Sequence, residues 1–178
     1  VINNHYTLLE NIFYLGKSDI KIWLGNTQNH LREFEEKITI PGIDMNLNNY
    51  FLNSRIKKQL TEKSFAIMGV QGMYQENTNS TEATEILITD SRTQEIGVYS
   101  LFQAEFNNWE IQTGLRYDIR KTETKPTPFN SLNFSKQYQG LNYSGGASKR
   151  FGEYSLRFNF SSGFRPPHLS ELLSNGVH

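Results

Sequence analysis

Cysteine is absent from the 178-residue sequence, which excludes a disulfide framework, a thiolate metal site and a cysteine nucleophile. Neither sign of charge is in excess: 18 basic residues face 18 acidic ones. A nucleic acid or anionic surface held by bulk electrostatics is therefore not among the expected partners. No stretch reaches the roughly 18 consecutive apolar residues that a membrane-spanning helix requires. The opening Val1-Ile2-Asn3-Asn4-His5 has neither the basic nor the apolar region of a signal peptide, so none is expected in this stretch. Helical domains, linkers and low-complexity segments are also missing from the pattern.

Aromatic residues, by contrast, are plentiful: 12 Phe, 9 Tyr and 2 Trp, against a mean hydropathy of −0.57. Low hydropathy with many aromatics fits a sheet whose alternate residues face lipid and a wet lumen. A soluble β-sandwich yields the same totals, and pattern has to separate the two.

From Trp109 to Arg120 the odd positions read Trp, Ile, Thr, Leu, Tyr, Ile and the even positions Glu, Gln, Gly, Arg, Asp, Arg. Period two sends these sets to opposite faces of a strand. The expected lipid-facing set is Trp109, Ile111, Leu115 and Tyr117; the expected lumen-facing set is Glu110, Gln112, Arg116, Asp118 and Arg120. Tyr154 to Ser162 repeats the pattern, with Tyr154, Leu156, Phe158 and Phe160 on the lipid side. Such lengths match the roughly 9–11 residues of a tilted membrane-spanning strand. Six further strands are expected at about 5–15, 19–27, 43–57, 64–76, 96–106 and 137–150. In the third the alternation slips near Asn48-Asn49, which predicts a bulge.

The junctions alternate strictly. Gly16-Lys17-Ser18, Thr61-Glu62-Lys63, Asn107-Asn108 and Phe151-Gly152-Glu153 are short, and the connections between them are long. In an up-and-down sheet every short turn then falls at one end and every long loop at the other, the asymmetry of outer-membrane barrels. The expected architecture is all-β: about eight antiparallel strands in meander order, part of a large transmembrane barrel. Trp109 and Tyr154, each beside a short turn, would belong to an aromatic girdle.

Gly163-Phe164-Arg165-Pro166-Pro167, followed by Leu169-Ser170-Glu171-Leu172, resembles a motif of TonB-dependent receptors. There a barrel strand ends in a Gly-Phe-Arg-Ala-Pro-like sequence and a Leu-Ser-Glu-Leu-like turn; Pro166 stands here where Ala is usual. The ending Ser174-Asn175-Gly176-Val177-His178 resembles versions from Bacteroidetes-type bacteria. Glu95-Ile96-Gly97-Val98-Tyr99 and Gly114-Leu115-Arg116-Tyr117-Asp118 are similar to strands common in these barrels.

The resemblance implies a plugged barrel of about 22 strands in the bacterial outer membrane. Such a receptor imports a scarce ligand with energy passed on by TonB, without covalent chemistry or a resident cofactor. Residues 1–178 would be part of the barrel wall. The plug, the remaining strands and the TonB-contacting segment are expected in other parts of the parent chain. Outer-membrane lipid, the plug and a small-molecule ligand are the implied partners. The implied ligand is an iron complex of siderophore or haem type, with cobalamin and oligosaccharide also open.

Arg165 and His168 are the expected ligand- or plug-contacting residues, on a tail that dips towards the lumen. Leu169, Leu172 and Leu173 at helical spacing predict one short turn there. The four histidines lack metal-ligand spacing, so no metal site is expected. Two other classes compete: a soluble or surface β-sandwich that binds carbohydrate, and a barrel enzyme, for which no nucleophile motif is evident.

Overall fold

The computed structural model describes residues 1–34, 39–126, 133–167 and 171. It contains β1 (Ile2–Leu15), β2 (Ser18–Glu33), β3 (Ile43–Thr61), β4 (Ser64–Asn79), β5 (Ser91–Phe106), β6 (Trp109–Thr124), β7 (Ser135–Phe151) and β8 (Tyr154–Ser162). These form one antiparallel sheet in sequence order, β1 to β8, rather than two stacked sheets. The expected meander is therefore the fold, and a sandwich is not.

Each short connection is a two-residue turn whose chemistry the sequence supplies. Asn107 and Asn108 both take positive φ, 47° and 64°, the backbone of a type I′ hairpin, which asparagine tolerates better than most residues. Gly16 and Gly152 supply φ of 60° at their turns, where any side chain would be strained. Antiparallel order puts these turns and Glu62-Lys63 at one end of the sheet and connections 34–42, 80–90 and 125–134 at the other.

Most strands run further towards the long-loop end than alternation alone predicts, and the reason is visible in the register. Trp109, Ile111, Leu115 and Tyr117 share one face with Ile96, Val98 and Phe102 of β5 and with Leu141 and Tyr143 of β7. Tyr154, Leu156, Phe158 and Phe160 continue that face on β8. These eight predicted lipid-side residues are 38–80% exposed, so no described part of the chain covers them. From Trp109 to Ile119 is ten steps of about 3.3 Å, which a tilt near 45° turns into a band about 25 Å tall. Beyond this band the same face becomes polar: Asn26, Gln28, His30 and Arg32 on β2, Asp44, Asn46 and Asn48 on β3, Lys121 and Glu123 on β6.

That change corrects the bulge expected at Asn48-Asn49. Pairing runs without a break through Gln28–Asn48 and Thr27–Asn49; the irregularity lies between Gln59 and Thr61. Met45 and Leu47 point to the opposite face from Tyr50 and Leu52 because the apolar band has ended, not because the strand has slipped. The small-residue run 144–148 is regular strand, and a Cβ at Gly145 would meet the Phe160 ring within 2.6 Å. Glycine there lets the cross-strand aromatic lie flat on the backbone.

Candidate functional site

The face opposite the apolar band carries a cluster of paired charges. The Asn107-Asn108 turn sets the β5–β6 register, which places Glu95 opposite Arg120, Gly97 opposite Asp118 and Tyr99 opposite Arg116. Arg120 Nε donates to Glu95 Oε2 at 2.6 Å. Arg116 Nε donates to Asp118 Oδ2 at 2.8 Å, and Arg116 Nη2 lies 2.6 Å from Asp118 Oδ1. The guanidinium reaches further, donating from Nη1 to Gln71 Oε1 of β4 at 2.9 Å. On the other side Asn142 Nδ2 of β7 donates to Asp118 Oδ2 at 3.3 Å. One network thus ties β4, β5, β6 and β7 together. Such charge-assisted bonds are stronger than neutral ones and fix the side-chain rotamers.

Gly97 creates the space for it. A Cβ there would fall on Asp118 Oδ1 and within 2.6 Å of Arg116 Nη2, so the ion pair lies flat on the wall only above a glycine. Gly140 plays the same part for the chain after β8. Phe164 rests its ring on Gly140, and its backbone N–H donates to Asn142 Oδ1. Residues 163–167 therefore turn over the charged face, and the rest of the expected tail, Glu171 apart, lies outside the described residues. Between Phe164-Arg165-Pro166 and the Glu95, Arg116, Asp118 and Arg120 side chains lies a cleft of about 210 Å³, with Tyr138 and Asn142 also in its wall.

The predicted residues divide accordingly. Arg116, Asp118 and Arg120 are brought together in the cleft, and Arg165 stands at its edge, 72% exposed, donating to Glu171 Oε1 at 2.6 Å. Glu110 and Gln112 share the charged face but lie nearer the short turns; Glu110 accepts from Gln103 Nε2 at 2.7 Å. His168, with Leu169, Leu172 and Leu173 of the expected turn, lies outside the described residues. Gln71, Asn142 and Tyr138 belong to the site without having been singled out from sequence, while Glu95 and Phe164 stood in the family-like motifs but were given no site role. The nearest signal was the Asn-Asn turn, which fixes the partner of every β5 residue.

The apolar face has its own boundaries. Phe106, Trp109, Phe151 and Tyr154 lie side by side next to the short turns, and Lys149 places its ammonium 4.9 Å from both the Trp109 and Phe151 ring centroids. Where a Trp109–Tyr154 girdle was expected, four aromatics lie together with a cation among them. At the other margin Tyr50 and Tyr74 face each other with centroids 6.4 Å apart. Among the described residues no group of three or more His, Asp or Glu could hold a metal ion.

Residues 3–177 match the family described as TonB dependent receptor-like, beta-barrel. Comparison by sequence with characterised proteins gave no match. Among solved structures the fold is similar to the FrpB iron transporter of Neisseria meningitidis (F5-1 variant, apoprotein form), with a TM-score of 0.71 and 17% identity. The similarity covers 93% of this chain and 29% of that one, so the chain spans under a third of that transporter's length.

Proposed function

Because the chain belongs to the TonB-dependent receptor-like β-barrel family, we propose that it builds part of the wall of an outer-membrane receptor that carries out TonB-dependent transport. The observation that carries this reading is the two-faced sheet. One face has an exposed apolar band with aromatic margins, suited to lipid; the other has an ion-paired network, suited to a hydrated lumen. On this reading Trp109, Ile111, Leu115, Tyr117, Tyr154, Leu156, Phe158 and Phe160 face lipid. Glu110, Gln112, Arg116, Asp118 and Arg120 face the lumen, the long loops lie outside the cell and the short turns lie in the periplasm.

The cleft beneath Phe164-Arg165-Pro166 is the proposed contact for ligand or plug. Arg116 and Arg120 are matched there by Asp118 and Glu95, and Arg165 by Glu171 at the rim, yet the three guanidiniums still offer several N–H donors suited to an anionic group. The fold neighbour is an iron transporter, and an iron complex that exposes anionic oxygens, the donor atoms of a siderophore or the propionates of a haem, suits those donors. No step of this function breaks or forms a covalent bond.

The test is made on the intact receptor. Replacing Arg165 and His168 together by alanine should lower ligand uptake at least about tenfold, the size of one lost charged hydrogen bond, with barrel folding unchanged. Unchanged uptake, with the tail freely cut by protease in the folded receptor, would reduce this segment to a surface loop.

A further inference from the structure

Connection 80–90 is bonded back onto the face that carries the Arg116 network. Asn77 and Asn79 end β4 on that face, in line with Gln71. Both amides turn their nitrogens to the loop. Asn77 Nδ2 donates to the Ile88 carbonyl at 2.9 Å, and Asn79 Nδ2 donates to the same carbonyl at 2.8 Å. Asn79 also holds Asp90, donating to Oδ1 from its backbone N–H at 2.8 Å and from Nδ2 at 2.5 Å. Connection 34–42 is tied in as well, since Thr84 and Glu85 donate to the carbonyls of Pro41 and Gly42.

The amide oxygens on the other side of these bonds are left over. Asn77 is 3% exposed, and Ser91, directly opposite it on β5, is fully buried. Asn77 Oδ1, Asn79 Oδ1 and Ser91 Oγ are all shielded from solvent and bond to no described residue. Turning the amides over gives no relief, because oxygen would then face oxygen at Ile88 and Asp90. A buried polar atom without a partner is costly, and three in one place point to a bound species that meets them.

Beside them stands a carboxylate without a counter-charge. Glu76, Glu95, Asp118 and Glu123 each pair with a Lys or Arg, but half-buried Asp90 pairs with none among the described residues. Lys125 meets Asp90 only through its backbone N–H and sends its ammonium to Glu76. One negative charge among neutral amide, hydroxyl and carbonyl oxygens, with no imidazole or sulfur, is the chemistry of a hard cation. Water would satisfy the three acceptors but would leave the charge of Asp90 unbalanced.

We propose that Asn77, Asn79, Asp90 and Ser91 form a seat for calcium, which pins connection 80–90 to the wall. Calcium accepts roughly 6–8 oxygens in a flexible arrangement, whereas magnesium demands a near-ideal octahedron and gives up its water reluctantly. A single carboxylate puts the affinity at the weak end, a Kd of about 10⁻⁴–10⁻³ M. The set has one acid and no histidine, so the spacing of histidines in the sequence carries no sign of it. The seat depends on the bonds of the loop and not on which side of a membrane the loop lies. Its failure would leave the transport reading untouched.

The experiment uses the intact receptor, refolded in non-ionic detergent free of lipid phosphate and stripped with a chelator. Calcium and magnesium binding are measured by titration calorimetry. Cleavage after Glu82 and Glu85 by a glutamate-specific protease is followed with and without calcium. The unaltered receptor should bind calcium saturably and magnesium more weakly, and calcium should slow the cleavage. Asp90→Asn should weaken calcium binding by about tenfold or more, and Ser91→Ala by less. Glu76→Gln, which removes a carboxylate outside the seat, should leave it unchanged. Absence of saturable calcium binding overturns the seat and leaves the oxygens to water or to a cation from elsewhere in the parent chain. So does an affinity unchanged in Asp90→Asn, or cleavage of the unaltered receptor that calcium does not slow.

Discussion

Leu115→Arg probes the two-faced sheet most directly. Leu115 lies six residues beyond Trp109 on the apolar face and is 51% exposed. Six steps of about 3.3 Å, tilted near 45°, place it about 14 Å into a band about 25 Å tall, close to the middle. A cation at that depth on a lipid face costs roughly 2–4 kcal/mol. Gln112→Arg supplies the control. Gln112 projects from the same strand to the opposite face, where it pairs in register with Gln103 and shares that face with Glu110, so a new cation meets water and a carboxylate. The assay is denaturant unfolding of the intact receptor in vesicles, followed by tryptophan fluorescence. Leu115→Arg should lower the midpoint strongly and Gln112→Arg should leave it nearly unchanged. Equal shifts would refute the inside–outside assignment, and with it the lipid and lumen sets named above.

Two further outcomes follow from the same geometry. Gly97→Val should displace Arg116 from Asp118 and cost about 1–3 kcal/mol, the worth of a charged hydrogen bond at a partly exposed site; a midpoint equal to that of the unaltered receptor would mean the network is not held against the wall. Asp44 lies beyond the apolar band, at the long-loop end of β3, where burial would raise its pKa but hydrogen bonds from His30 and Arg32 outweigh that and hold it below the usual carboxylate range. A depressed folded pKa adds stability above the unfolded value near 3.9 and loses it as pH falls through the folded value. The unfolding midpoint should therefore drop in acid for the unaltered receptor and respond less to acid in Asp44→Asn, and parallel pH profiles would remove Asp44 as the cause.

Much of this was legible in the amino-acid order, and the parts that were not share a physical cause. Alternation over 109–120 and 154–162 revealed both faces because apolar and charged residues contrast sharply there. Past the apolar band the lipid-side positions turn polar and the contrast fades or, as at Met45 and Leu47, reverses, and so the expected strands stopped short at residues such as Thr27 and Glu76. The Glu95–Arg120 pairing follows from a two-residue turn and could have been counted out from Phe106–Trp109. Gln71 and Asn142 could not, since they reach Arg116 and Asp118 from strands joined through connections 80–90 and 125–134. A loop of that length leaves the register open. The Phe164–Gly140 stacking is equally hidden, for it depends on where the chain turns after β8 and not on local pattern.

The Arg116 network has a consequence for how such a wall assembles. Two-residue turns fix the pairing inside each hairpin, so errors can arise only where hairpins join, at the long connections. A slip of one residue there would turn apolar side chains to the wrong face and is punished at once. A slip of two is not: the apolar band stays outside, most ladder hydrogen bonds re-form, and burial alone cannot tell the mistake from the native state. Arg116 to Gln71 and Asp118 to Asn142 bridge two of the three joints, those at 80–90 and 125–134, and each bond runs diagonally to a residue two positions off register, so a two-residue slip in the direction that widens this offset doubles it to about 13 Å along the strand, out of hydrogen-bonding reach. The polar cluster on the charged face thereby selects against slips in that direction, discriminating between arrangements that the hydrophobic effect treats as equal.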